Sequence, residues 1–378
     1  MKTYDWTVVG GGITGAALAY ELVKTGFSVL LIEKDAVAQN ATRYSYGGLA
    51  YWSGSTELTR LLCLEAIARY NILSQELDAD IELRELDLLL TIPADANPEA
   101  TAALYASCAV PPRLLSVAEA CELEPLLNGG AISYAGRNAI AGALTVKHGH
   151  INPQKTAQAY IQAFLRAGGE LQIGNWEVET TTHSANVVIC AGGLSRQLLK
   201  SLGISVKLYF THAEIIEIPP VDLRLNTLVM PANLQRFKLE SASTKVDELW
   251  DEPGNQLAAQ ILDAGAIQFL DGSLRLGQIS RILTNPHAVI NPEESENWLR
   301  QGISQILPAL GNLPGNWHHC LVAFSSNSLP VIGAIPELTN VHIFSGFSNP
   351  LVFVPPLAKR YAQFLAGKED EIIPQLSL

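Results

Sequence analysis

Thr7–Val8–Val9–Gly10–Gly11–Gly12–Ile13–Thr14–Gly15, followed at the end of the next apolar run by Glu33, decides how this chain folds. Tyr4–Val9 has the character of a buried strand. Ala16–Lys24 sets Ala16, Ala17, Leu18, Tyr20, Leu22 and Val23 at the apolar positions of a helix. Gly26 stops that helix, and Ser28–Ile32 reads as a second strand. Gly10 permits the tight turn, Gly12 lets the backbone approach a pyrophosphate, and Gly15 lets helix and strand pack closely. Unpaired N–H groups and the positive helix end then point at the phosphates. Glu33 accepts hydrogen bonds from both ribose hydroxyls, and its charge repels a 2′-phosphate. The segment predicts a dinucleotide-binding βαβ unit.

Composition bounds the rest. The chain has 378 residues, 48% hydrophobic and 16% charged, enough for a large core in two or three domains. A net charge of −12 excludes a nucleic-acid binder, which needs basic patches. The absence of a long apolar run predicts no membrane span. Met1–Asp5 runs straight into a strand with no leader pattern, and five cysteines without a C-x-x-C suit a reducing compartment. The expected location is cytoplasmic. His318–His319–Cys320 are adjacent and cannot readily converge on one ion, so no metal site is expected.

Beyond the first unit, a helix is predicted over Glu57–Leu77, then a proline- and turn-rich stretch from Glu82 to about Lys147. A helix at Pro153–Ala167 and strands at Leu171–Ile173 and Asn186–Cys190 follow, the last ending in Ala191–Gly192–Gly193. Short apolar runs between Lys207 and Ile282, such as Glu214–Ile218 and Ser273–Leu276, suit an antiparallel sheet. Glu293–Ile306 is helical, Val341–Phe344 a strand, and Pro356–Ala366 a terminal helix opened by proline and closed by Gly367. The fold class is therefore α/β, with two domains that interrupt one another in sequence.

Thr42–Arg43–Tyr44–Ser45–Tyr46–Gly47–Gly48–Leu49, Val187–Val188–Ile189–Cys190–Ala191–Gly192 and Ser345–Gly346–Phe347 carry a resemblance. With the N-terminal glycines, the chain resembles the D-amino-acid-oxidase-type FAD-dependent oxidoreductases, such as glycine oxidase and sarcosine oxidase. The resemblance implies a glutathione-reductase-like FAD-binding Rossmann domain (1–86, 148–205 and 317–378) and an antiparallel-sheet substrate domain (87–147 and 206–316). It implies that Gly10, Gly12, Ile13, Thr14 and Gly15 hold the pyrophosphate, and that Glu33 and Lys34 face the adenosine ribose. Thr42, Arg43, Ser45, Gly47, Gly48 and Leu49 would line the pyrophosphate and flavin ring, with small glycines leaving room for it. Val178 would meet adenine, and Cys190, Ala191 and Gly192 would close over the adenosine half. Gly346, Phe347, Ser348, Asn349, Leu351 and Val352 would run past the pyrimidine edge of the flavin, with the helix from Pro356 directing positive charge there. The implied reaction is hydride transfer from a small amine or amino acid to flavin N5, with oxygen or another acceptor taking the electrons. A second G-x-G-x-x-G for a nicotinamide donor is absent.

The chain also departs from that pattern. Relatives carry a Gly-x-Arg-Pro stretch whose arginine clamps the substrate carboxylate, and Val322 stands at the arginine's place in Cys320–Leu321–Val322–Ala323. Valine cannot bind a carboxylate, which puts glycine and D-amino acids in doubt as substrates. Pro350 and Leu351 replace the expected residues of the flavin loop, and Pro350 has no N–H to give. Cys320 falls where the sarcosine-oxidase branch attaches FAD covalently, and is otherwise a small buried hydrophobe. Arg275 falls near that branch's oxygen-activating lysine, and is otherwise an exposed strand residue. Arg281 is the first choice to anchor an acid substrate and Arg43 the second. Tyr44, Tyr46, Tyr51 and Trp52 are candidates for an aromatic wall, Tyr46 the one carried forward as catalytic. Two other readings stay open. A hydroxy-acid dehydrogenase would need His148, His150 or His212 as base, and a flavin-binding subunit would need no reaction at all.

Overall fold

The computed structural model describes residues 3–37, 39–129, 139–176, 184–338 and 340–377. Tyr4–Val9 lies at the centre of a six-stranded sheet, in the order Val331–Ala334, Val341–Ser345, Ser184–Ile189, Tyr4–Val9, Val29–Glu33, Glu170–Ile173. All neighbours are parallel except the first pair. Parallel strands are buried on both faces, which explains the unbroken burial of Trp6–Val9. On one face pack the helices Ile13–Lys24, Glu57–Glu76, Pro153–Arg166 and Pro350–Leu365, around Leu18, Leu22, Tyr70, Tyr160 and Tyr361. On the other, Val9, Val187 and Ile189 meet Leu199 and Ile204.

The second sheet runs in the order Asn316–Ser325, Leu208–Ile218, Leu274–Arg281, Ile261–Gln268, Leu228–Pro231, Arg84–Pro93, Ile140–His150, Gly48–Leu49, with Arg113–Leu115 also pairing on Ile140–His150. It is antiparallel except where Leu228–Pro231 lies parallel to Arg84–Pro93. The helix Pro292–Ile306 buries Leu299 and Ile303 against one face. Two strands of this sheet, Arg84–Pro93 and Ile140–His150, fall in the stretch that reads from sequence as turns. They form one long antiparallel ladder. The boundary expected at 317 also moves, because Asn316–Ser325 hydrogen-bonds along Leu208–Ile218 in the second sheet.

The terminal helix begins at Pro350, not at Pro356. Pro355 and Pro356 lie inside it. Proline at position 355 has no N–H for the carbonyl of Leu351, one turn back. The buried Tyr70 hydroxyl donates to that carbonyl at 2.6 Å instead. Tyr70 thus repairs the ladder where proline breaks it, and keeps the helix continuous to Pro350. Replacing Tyr70 with Phe leaves a buried carbonyl unsatisfied, and urea denaturation is expected to show a loss of about 1–3 kcal/mol. Unchanged stability would refute the repair.

Candidate active site

Two helix N-termini open on one cavity. The first belongs to Ile13–Lys24, whose N-cap Gly12 has no side chain to offer and whose first turn carries no acid. The second belongs to Pro350–Leu365, where Asn349 makes no side-chain cap. Elsewhere Thr56, Asn152 and Asn291 do cap their helices. An uncapped N-terminus keeps its partial positive charge and free N–H groups for a ligand.

The cavity between them holds about 500 Å³. At one end it is lined by Gly10, Gly12, Ile13 and Thr14 of the glycine turn, by Glu33 and Lys34, and by Cys190, Ala191 and Gly192. Gly10 turns at φ +105, and a Cβ on Gly15 would stand 1.8 Å from the Gly10 carbonyl oxygen. Glu33 accepts the Gly11 N–H and, at 3.0 Å, that of Asp35. Thr42 lines the middle and accepts the Ile13 N–H at 3.0 Å. Ser45, Leu321, Val322, Ala323, Gly346, Phe347 and Leu351 line the rest of the cavity. Val178 lies outside the described residues.

Sequence reasoning missed Trp176 and Asn40, which also line the cavity. The buried Trp176 indole N–H has no protein partner, so it is a donor left over for a ligand. Asn40 stands at φ +61, and its Oδ1 accepts the Leu321 N–H at 2.7 Å, tying the edge of the second sheet to the cavity wall.

Other expected residues do not face the cavity. A Cβ on Gly47 would meet the Ile151 carbonyl oxygen at 2.1 Å, and one on Gly48 would meet His148 Nε2 at 2.5 Å. Their small size is demanded by the neighbouring strand rather than by the cavity. Leu49 is fully buried, and Gly15, Ser348, Asn349 and Val352 are not among the residues that line the cavity.

The candidate catalytic side chains are already engaged. Arg281 bonds Glu214 at 2.6 Å, Gln260 at 2.7 Å and Ser295 at 3.2 Å, away from the cavity. Arg43 forms a two-pronged pair with Glu217, its second prong at 2.7 Å. Arg275 is 4% exposed rather than an exposed strand residue. It donates to the Ser45 carbonyl and lies 4.3 Å over the Phe269 ring. Burial lowers its pKa to about 10. The Tyr46 hydroxyl donates to the carbonyls of Gly277 at 2.7 Å and Gly265 at 3.1 Å, and burial raises its pKa. Tyr44 stacks on His318 at 4.5 Å. Tyr51 and Trp52 pack against Tyr70 and Tyr105.

The histidines are similarly committed. Trp52 Nε1 donates to His148 Nδ1 at 3.0 Å, and burial lowers the His148 pKa to about 4. His150 meets the Tyr46 carbonyl at 3.0 Å, and burial with Arg84 nearby lowers its pKa to about 3. His212 meets His319 at 2.7 Å and is lowered to about 4, chiefly by burial. Among the described residues, no group of three or more His, Cys, Asp or Glu is placed to hold a metal. No described helix is long and apolar enough to cross a membrane.

A family model for FAD-dependent oxidoreductases matches residues 5–364. The chain belongs to that family. It is 27% identical over 273 residues to the glycine oxidase of Geobacillus kaustophilus, covering 64% of this chain and 70% of that one. It is 24% identical over 383 residues to the 4-methylaminobutanoate oxidase (formaldehyde-forming) of Paenarthrobacter nicotinovorans, covering 95% of this chain. The match spans only 43% of that longer protein. The crystal structure of G. kaustophilus glycine oxidase shares the fold with a TM-score of 0.74 at 20% identity, over 100% of this chain and 99% of that one. That of L-proline dehydrogenase from P. horikoshii gives 0.74 at 19% identity, over 100% and 97%.

FAD fits what the cavity offers: two free helix ends for phosphate and flavin, a ribose-facing carboxylate and a spare indole donor. The chain is thus a member of the FAD-dependent oxidoreductase family with a mixed α/β fold, a mainly parallel sheet covered by a mainly antiparallel one.

Two outcomes follow from the site. Trp176→Ala removes the spare donor and an aromatic surface, so equilibrium titration of apoprotein is expected to show FAD bound about tenfold more weakly. Unaltered affinity would remove Trp176 from the site. Cys320 is 5% exposed, does not line the cavity, and has its thiol pushed up to about 12 by burial. Little thiolate forms there, so acid precipitation is expected to leave the yellow colour in the supernatant. Colour retained in the pellet would establish a covalent link.

Proposed function

We propose that this protein oxidises a C–N bond of a small amine. When bound, FAD supplies the hydride acceptor at flavin N5. The observation that carries the reading is that, among the described residues, no imidazole lines the cavity; His148, His150 and His212 are buried among partners of their own. A neutral amine gives up hydride without a protein base, whereas an alcohol must lose its O–H proton to one.

The chain's own work is placement and exclusion. Leu321, Val322 and Ala323 from the second sheet, Phe347 from the loop after Val341–Ser345 and Leu351 from the helix Pro350–Leu365 give the cavity apolar walls. Such walls exclude water and hold the reacting C–H about 3–3.5 Å from its acceptor. The helix beginning at Pro350 directs partial positive charge at the cavity, which favours a flavin gaining negative charge. We assign Arg275, which donates to the Ser45 carbonyl, the role of a second fixed cation there. The names of the relatives, an oxidase of a methylamino acid and one of glycine, support C–N chemistry.

Anaerobic mixing with panels of amines, amino acids and hydroxy acids tests the reading. Amines are expected to bleach the oxidised-flavin absorbance. At fixed total amine the rate should climb between about pH 5 and 8 with the substrate's free-base fraction alone, since the three histidines stay neutral throughout. Bleaching by hydroxy acids alone, or a plateau set by a protein group near neutrality, would overturn it. Bleaching by none would favour the flavin-binding subunit.

A further inference from the structure

Arg43 does not itself line the cavity, but Thr42 and Ser45, which bracket it in sequence, both do, and its guanidinium is the candidate anchor for an acid there. It is not vacant. Glu217, 174 residues away in sequence, takes both prongs of the fork. Arg275 NH2 lies 3.7 Å from the same carboxylate, and His318 Nε2 lies 3.6 Å from its other oxygen. This is the planar, bidentate geometry by which arginine recognises a carboxylate in solution.

Stability does not account for the pair. Both side chains are 23% exposed. Half-open ion pairs contribute little to folding while freezing two long side chains. The same strand, Leu208–Ile218, treats its other face alike, sending Glu214 to Arg281 at 2.6 Å. The cavity itself offers Val322 where an anchoring arginine would serve an acid.

We propose that Glu217 is a specificity residue: a built-in carboxylate that fills the Arg43 fork and turns away acids, restricting the enzyme to amines without a free carboxylate. The inference rests on the amine-oxidising reading for its substrate class, but it is tested by binding rather than turnover. Removing the resident carboxylate exposes two arginines at once, Arg43 and Arg275, and the expected consequence is a gain of function.

The experiment titrates benzoate into FAD-loaded protein, followed by the flavin difference spectrum and by calorimetry. Wild type is expected to bind benzoate at least about tenfold more weakly than Glu217→Ala, the scale of one charge-assisted pair. Glu217→Gln keeps the volume and removes the charge, and should gain binding in the same direction should the alanine variant fail to hold FAD. Arg43→Ala added to either variant should cancel the gain. Wild type that binds benzoate as tightly as the Glu217 variants, or a gain that survives loss of Arg43, overturns the proposal. An enzyme that no amine reduces, yet gains benzoate through Glu217 and Arg43, would sink the amine reading and leave this one standing. Bleaching by amines without any gain would do the reverse.

Discussion

Two helix ends whose own N-cap residues offer no side-chain cap, both lining one cavity, are the constraint around which the molecule is arranged. An N-terminus of this kind carries partial positive charge and orphan N–H groups that cost free energy unless a ligand or water meets them. The glycine turn brings the first end up to the central strand. The second end depends on a helix holding together across Pro355 and Pro356, for which the Tyr70 hydroxyl substitutes a missing bond. A cofactor with phosphates in its middle and an electron-accepting ring at its tip is the natural occupant of such a space.

The covering sheet contributes little reactive chemistry and much restraint. Its Arg281 and Arg275 meet the carboxylates of Glu214 and Glu217 on the strand Leu208–Ile218, and burial lowers the pKa of its His148 and His212. What reaches the cavity from this sheet is apolar, Leu321 to Ala323. Apolar walls of this kind suit a reaction whose difficult step belongs to the cofactor.

How much of this was legible in the chain follows from how local each signal is. The βαβ unit, its glycines and Glu33 lie within one short segment, and periodicity and turn chemistry reveal them. Arg84–Pro93 and Ile140–His150 escaped because Leu88–Leu90 is a short apolar run without alternation, and Ile140–His150 mixes glycine and alanine with charge. The terminal helix was started too late by applying the rule for a first-turn proline to Pro356, when Pro350 fills that position. The partners of Arg43 and Arg281 stand 174 and 67 residues away, so no local pattern announces that these side chains are already spent. Trp176 gave no sign either, since a lone aromatic after a strand reads as packing.

The short stretch from Asn40 to Ser45 touches both halves of the molecule. Thr42 receives an N–H from the first helix, Asn40 receives one from the edge of the second sheet, and Arg43 grips that sheet's Glu217. One six-residue stretch thus lies against the cavity and bonds to elements on both sides of it, so a substitution there would reach the helix, the sheet edge and the cavity wall at once.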